Sequence, residues 1–402
     1  MVQWVKTSKD WGKNMKKLFY EDSHLKTFEA VVTGCMSTTD GYHITLDATA
    51  FYPEGGGQPC DTGSLGESNV LSVREEGENI LHLCDKPLSV GQTVTGVINW
   101  ARRLDLMQQH TGEHIVSGII NKRYGYHNVG FHIGADVVTI DFDGPIPQED
   151  LPSIENAANE AIWQNLQVAC YYPSQEELPQ VPYRRKRDLP WPVRIVEIPQ
   201  IDLCACCGTH LKRTGEAGLV KLFSCVKFHH GVRIEMACGK RALEILSATY
   251  DQNRLVSQAF SAKIMQTGAA AQRMNQTLSA EKFRSAGLEK RLFSYVAQSY
   301  AGKALALHFE EDLSAGANRE LCDAIAKECA VAVTLSGTDE TGYSLCIISH
   351  TQDAKALGTQ AVQALGGRGG GKPEAFQGNV SATRQKIEEF FLSQKNICLI
   401  PF

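Results

Sequence analysis

No run of about 18 or more apolar residues occurs in the 402-residue chain, so no transmembrane helix is expected. The basic start MVQWVKTSKDWGKNMKK has no apolar segment after it, which argues against a secretory signal. Without that signal the 13 cysteines read as free thiols or metal ligands in a reducing, cytoplasmic setting. A strong charge is missing as well. At −5 the chain carries no global field that would draw a polyanion, so any nucleic-acid contact must come from local patches. What remains is an ordinary globular composition, 43% apolar and 21% charged, too long for one core and suited to two or three domains.

Residues 27–98 read as short strands (27–33, 42–51, 69–74 and 92–99) separated by Gly, Pro and Asp clusters, a spacing that suggests a small antiparallel barrel over residues 18–99. From Ala101 to Lys122 the period becomes helical, with Leu104, Met107, His110, His114 and Ile115 near one face. Strand-like and helical segments then alternate to residue 240, an α+β pattern. Residues 241–300 lack Pro and read as a helical connector, one long helix or a hairpin. Residues 301–402 alternate strand and helix as a compact α/β domain, interrupted after Leu365 by a glycine-rich loop. The expected fold class is therefore α+β multidomain: a small antiparallel β-barrel, an α+β domain over residues 100–240, a helical connector and a C-terminal α/β domain.

His110 and His114 lie four apart on the expected helix, so both imidazoles project from one face. Downstream, Cys206-Cys207-Gly208-Thr209-His210 offers a thiolate and an imidazole at the same spacing. Three nitrogens and one sulfur suit tetrahedral Zn²⁺. Cys204 and Cys207 read instead as buried small hydrophobes, since Cys206 alone of the three has the spacing to His210. His110-Thr111-Gly112-Glu113-His114 also fits the HxxEH signature of inverted zinc metallopeptidases. That reading needs a later carboxylate ligand, and none stands out. The densest basic run, Arg184-Arg185-Lys186-Arg187, is either a solvated loop or a phosphate contact.

At these residues the chain resembles the editing domain of alanyl-tRNA synthetase and the freestanding AlaX family of trans-editing proteins. The blocks that carry the resemblance are Phe51–Pro59 (FYPEGGGQP) with Asp61 and Gly63, Gln108–His114 (QQHTGEH), Val193-Arg194-Ile195 leading to Cys206–His210, Thr214-Gly215, and Gly231–Glu235 (GVRIE). The match runs from about residue 18 to 245. The chain departs from the family's CGGTH at Cys207, which stands where the first glycine is usual. A second block, Gly366–Pro373 (GGRGGGKP), is similar to the glycine-rich loop near the end of alanyl-tRNA synthetase. It nearly fits GxxxxGK, but Pro373 removes the Ser or Thr a P-loop needs, which argues against ATP binding. The synthetase's aminoacylation domain finds no room before the barrel, so the resemblance is to the long freestanding form.

The resemblance implies a zinc-dependent aminoacyl-tRNA deacylase acting on misacylated alanine tRNA, with serine and glycine as the amino acids removed. Glu113 is then a candidate base beside the metal, and Thr111 and Thr209 are candidate partners for a serine hydroxyl. His132 is a candidate pocket residue, and Arg184, Arg185, Lys186, Arg187, Arg368 and Lys372 are candidate tRNA contacts. Two alternatives stay open: a tRNA-binding module whose zinc is structural, and the HxxEH peptidase. Leu288, Leu292, Tyr295 and Val296 form one helical face, covered either by the chain's own C-terminal domain or by a second copy in a homodimer.

Overall fold

Along Thr27–Thr38 the side chains alternate, with Phe28, Ala30 and Val32 turned inward and Thr27, Glu29 and Val31 outward, the pattern of a strand with one buried face. In the computed structural model, which describes residues 15–185 and 191–394, this strand is one of six that close a barrel. The order around it is Thr27–Thr38, Gly41–Leu46, Asn79–Cys84, Ser68–Glu76, Gly63–Leu65 and Thr93–Ile98. Every pairing is antiparallel. Two of these strands escape the sequence pattern for physical reasons. Gly63–Leu65 is too short to show a period, and Asn79–Cys84 buries Ile80, Leu81 and His82 in succession. His82 is fully enclosed, its Nε2 meeting Thr49 Oγ1 at 2.8 Å and its Nδ1 meeting the Ile44 carbonyl at 3.0 Å.

The barrel leads directly into the helix Trp100–Tyr124, whose first turn is capped by the Asn99 side chain and whose end is closed by Gly125 in the left-handed region at φ 74°. Arg103, one turn in, is fully buried. It donates to Asp61 from Nε (2.9 and 3.0 Å) and from Nη2, and to the carbonyls of Ser23 (2.9 Å) and Ala50 (2.6 Å). This one side chain ties the helix to the barrel. Beyond it lies a four-stranded antiparallel sheet in the order Val220–Phe228, Gly231–Cys238, Val138–Phe142, Asn128–Ile133. The helix Leu151–Trp163 packs with it, and a smaller sheet orders Ala169–Tyr171, Ile195–Ile198 and Asp202–Ala205. Their apolar faces meet in one core that includes Met107, Ile115, Val138, Ile154, Ile198 and Ile234.

The chain divides into two units, Met1–Leu255 and Val256–Phe402. The connector expected over residues 241–300 is two helices, Gly239–Ala259 and Thr267–Gln298, interrupted where Ser261 takes φ 48°. The second unit holds a five-stranded sheet ordered Leu305–Glu310, Val331–Thr338, Gly342–Ser349, Ala375–Val380, Gly367–Lys372, whose first pair alone is parallel. The helices Ala354–Leu365 and Arg384–Leu392 cover one face, and Ala315–Ala326 with the end of Thr267–Gln298 covers the other.

One sequence expectation needs correcting here. The glycine-rich loop is an edge strand, Gly367–Lys372, paired along its length with Ala375–Val380; a Cβ at Gly369 would come within 2.6 Å of the Phe376 ring, so at alternate positions (Gly367, Gly369 and Gly371) the residues that look like a breaker are what the packing requires. The Thr267–Gln298 helix buries Phe293 and Ala297 and packs Val296 of the expected stripe against the same core, while Leu288, Leu292 and Tyr295 are 53%, 58% and 69% exposed, which leaves a second copy as the covering still open for them. Among the described residues no helix is long and apolar enough to cross a membrane.

Candidate metal centre and its cavity

The helix Trp100–Tyr124 presents His110 and His114 side by side, ring centroids 5.4 Å apart and planes 28° from parallel. The turn after strand Asp202–Ala205 delivers Cys206 and His210 to the same point. The donor atoms of His110, His114, Cys206 and His210 lie within 4.8 Å of one another, with Cys206 Sγ 3.3 Å from His110 Nε2. The turn needs glycine at its centre, since a Cβ on Gly208 would sit 2.2 Å from the His110 ring.

Two of the imidazoles are aimed from behind. His110 Nδ1 meets Gln58 Oε1 at 2.7 Å, and His114 Nδ1 meets Asp202 Oδ2 at 2.7 Å. Both partners are acceptors, which places the proton on Nδ1 and leaves each Nε2 lone pair facing the cluster. Asp202 is fixed in turn by Arg184, which donates from Nε (2.6 Å) and Nη2 (2.8 Å). Gln58 is fixed by Thr209, whose amide donates to Oε1 at 3.2 Å and whose Oγ1 accepts from Nε2 at 2.8 Å. Gly57, at φ 84°, lets the loop before Gln58 pass close to Phe131; a Cβ there would meet the Phe131 carbonyl at 2.4 Å.

His210 differs from its neighbours. Both its ring nitrogens are buried and meet no hydrogen-bond partner among the described residues, which is costly unless something else satisfies them. Burial pushes its pKa down to about 3, so it is a neutral ring with a lone pair to give. Burial works against a Cys206 thiolate, but the His110 and His210 imidazoles more than offset it and hold the thiol well below its usual value. At His114 burial opposes charge, yet Asp202 and Cys206 outweigh it and raise its proton affinity well above normal. A site that stabilises a thiolate and draws a proton in among three imidazoles favours positive charge, and its donor set suits Zn²⁺. A second grouping, His114, Asp202 and Cys204, is a supporting layer. Asp202 is already held by Arg184, and burial raises the Cys204 thiol to about 11.

His110, His114 and Cys206 of the cluster line a cavity of about 780 Å³, together with Glu113, Phe131, Tyr172, Arg184 and Arg194, while His210 is outside the lining. Glu113 Oε1 accepts from Ser117 Oγ at 2.5 Å and from Asn128 Nδ2, and Oε2 lies 3.9 Å from His114 Nε2. Thr111 and Thr209 are fully buried and absent from the cavity lining. Thr111 Oγ1 accepts from the Leu211 amide at 3.1 Å, and the Thr209 hydroxyl is engaged with Gln58. His132 is exposed and also outside the lining, because strand alternation turns it away from Phe131. Arg184 points inward to Asp202, Arg185 is exposed, and Lys186 and Arg187 lie outside the described residues. Arg368 and Lys372 are exposed on the edge strand of the second unit. Sequence reasoning misses the supporting roles of Gln58, Asp202 and Asn128. Gln58 has a visible signal, its place at the end of the glycine run.

The chain matches the family model for tRNA synthetases class II (A) over residues 5–102, and that for the threonyl and alanyl tRNA synthetase second additional domain over residues 193–235, which include Cys206 and His210. It is 28% identical over 379 residues to the alanyl-tRNA editing protein Aarsd1-B of Xenopus laevis, covering 90% of each chain. It is 27% identical over 408 residues to the alanyl-tRNA editing protein Aarsd1 of Mus musculus, covering 94% of this chain and 98% of that one. The alanine–tRNA ligase of Thermofilum pendens is 31% identical over 389 residues, spanning 91% of this chain and 42% of the ligase. Among solved structures, the C-Ala domain of Aquifex aeolicus alanyl-tRNA synthetase aligns with 23% of this chain and 88% of its own at 24% identity, with a TM-score of 0.21.

Proposed function

We propose, from the premise that this chain belongs to the alanyl-tRNA editing family, that it hydrolyses the ester of misacylated alanine tRNA. Ser-tRNA(Ala) would be the first substrate and Gly-tRNA(Ala) the second to test. Relatives along the whole chain bear the name alanyl-tRNA editing protein, which supports a tRNA-editing function. The observation that carries the deacylase reading is one thiol and three imidazoles within 4.8 Å of one another, His110, His114 and Cys206 of them lining the cavity and both buried His210 nitrogens without a hydrogen-bond partner among the described residues.

His110, His114, Cys206 and His210 would hold Zn²⁺, which when bound supplies a Lewis acid for an ester carbonyl or an amino group. The chain's own groups do the rest. Gln58 and Asp202 keep the His110 and His114 rings in the ligating tautomer. Ser117 and Asn128 hold Glu113 by Oε1. Its Oε2, on the His114 side, is the atom we assign to take a proton from the attacking water. As the ester C–O bond breaks, that proton passes to the departing ribose oxygen, leaving free amino acid and tRNA. Serine selectivity needs a hydroxyl partner other than Thr111 or Thr209, whose own hydroxyls are engaged away from the cavity.

A second reading is favoured by the count of ligands: four protein donors make the closed set of a structural ion, and the chain would then bind tRNA without turnover. Deacylation of Ser-, Gly- and Ala-charged alanine tRNA, with and without chelator, separates the two. Editing requires release of serine, sparing of alanine and loss of activity on chelation. Stoichiometric tRNA binding by zinc-loaded protein with no release of amino acid would leave the structural reading standing.

A further inference from the structure

Three cationic side chains line the cavity, and two have carboxylate partners. Lys17 reaches Glu75 at 2.6 Å and Arg184 is held by Asp202. Arg194 has none among the described residues, although it is only 8% exposed. Its Nη1 donates to the carbonyls of Cys206 (3.0 Å) and Gly208 (2.9 Å), which uses both hydrogens on that nitrogen. Its Cζ lies 4.8 Å over the Tyr20 ring, and the Tyr20 hydroxyl donates to the Cys207 carbonyl at 2.9 Å. The guanidinium plane is thus fixed by a ring on one face and by the metal-site turn at one end. Among the described residues no acceptor meets Nε–H or the Nη2 hydrogens, yet neither nitrogen is sealed from solvent. They form the side-on fork that grips a two-oxygen anion. A desolvated cation with no counter-charge is expensive, and a charged ligand delivered through the cavity would offset that cost.

We propose that Arg194 is a substrate-positioning residue whose Nε/Nη2 edge binds the phosphodiester on the 5′ side of the terminal ribose of an aminoacyl RNA. The inference rests on the aminoacyl-tRNA reading of the cavity. In such a substrate the amino acid's carboxyl group is a neutral ester and its amine is cationic. The standing negative charge nearest the scissile bond is therefore that phosphodiester. Because Arg194 also holds the carbonyls of Cys206 and Gly208, it sets the anion at a fixed offset from the metal-site turn. Binding the phosphate would place the ester at the cluster.

The test is calorimetric titration of the zinc-loaded full chain with adenosine 5′-monophosphate and with adenosine. The wild type should prefer the nucleotide by roughly 10- to 100-fold, the scale of paired charge-assisted hydrogen bonds. Arg194→Gln should erase the preference, and Lys17→Gln should keep it. Equal affinities in the wild type overturn the proposal whether or not the arginine variant folds, and so does a preference that disappears with Lys17→Gln. On charged tRNA, Arg194→Gln should raise KM with kcat nearly kept; a fall in kcat at unchanged KM would assign the guanidinium to the oxyanion and also overturn it. If no charged tRNA is hydrolysed but the Arg194-dependent preference persists, the editing reading falls and the anion site stands. If charged tRNA is hydrolysed and Arg194→Gln changes nothing, the anion site falls and the editing reading stands.

Discussion

Arg103→Met should destabilise the N-terminal unit by about 3–5 kcal/mol, the cost of leaving a buried carboxylate without its partner. Asp61 is 1% exposed, and apart from Arg103 its hydrogen bond is from the Tyr52 amide. Methionine fills much of the arginine stem's volume, so the loss reflects charge and hydrogen bonding more than a void. The double variant Asp61→Asn, Arg103→Met removes the stranded charge and should recover at least half of the loss. Recovery stays incomplete because the Ser23 and Ala50 carbonyls still lack the donor they have now. The assay is urea unfolding followed by tryptophan fluorescence. All five tryptophans precede Val256, so the signal reports this unit and not the second. Arg103 lies about two helical turns before His110 on the same helix, so zinc retention should fall with stability. A single variant that loses less than about 1 kcal/mol, or a double variant no better than the single, would refute the argument.

Burial holds His82 neutral, with its pKa lowered to about 4. The unfolded chain binds that proton first, near the ordinary histidine value of about 6.5. Stability should therefore fall as pH drops from about 6.5 to about 4, by roughly 2 kcal/mol between pH 7 and 5. His82→Gln should flatten that part of the profile, and an unchanged slope would assign the acid sensitivity elsewhere. Asp202→Asn removes the acceptor that orients His114 and should weaken zinc binding about 10- to 100-fold in competition with a chelating dye; unchanged affinity would make the Arg184–Asp202 pair purely structural. The exposed Leu288, Leu292 and Tyr295 support self-association, so sedimentation should give about twice the 44.2 kDa chain mass. Leu288→Glu with Leu292→Glu should restore the single-chain mass, and a wild-type monomer at micromolar concentration would dismiss the dimer.

The site divides into parts that local spacing reveals and parts that only folding creates. His110 with His114, and Cys206 with His210, are pairs four residues apart, so each is visible in a short window, and the fold brings the pairs together. Gln58 and Asp202 lie 52 and 88 residues from the histidines they orient, and no local period marks them. Thr111 and Thr209 look usable in sequence because each adjoins a ligand. One residue along a helix is a turn of about 100°, and it carries the Thr111 hydroxyl to the Leu211 amide. The barrel's alternating strands are legible where one face is wet, and Asn79–Cys84 is not because its successive residues are buried. In the second unit, spacing alone marks the stripe ending at Tyr295 and Val296 as the face to be covered. Within the unit the covered face carries Phe293, Val296 and Ala297, so of that stripe only Val296 meets the core.

The strand Gly367–Lys372 ends its sheet, and all six of its residues are exposed. Four of the six are glycine, so the outer rim of backbone amides and carbonyls stands almost unscreened. Such a rim is a template on which another extended chain can nucleate, as in fibrillar aggregation. Arg368 and Lys372, four residues apart and so on the same side of the strand, set two like charges along it. A second copy docking in register would bring cation against cation. Whatever ligand these residues meet, they also act as gatekeepers, keeping an edge built mostly of glycine from becoming a seam between molecules.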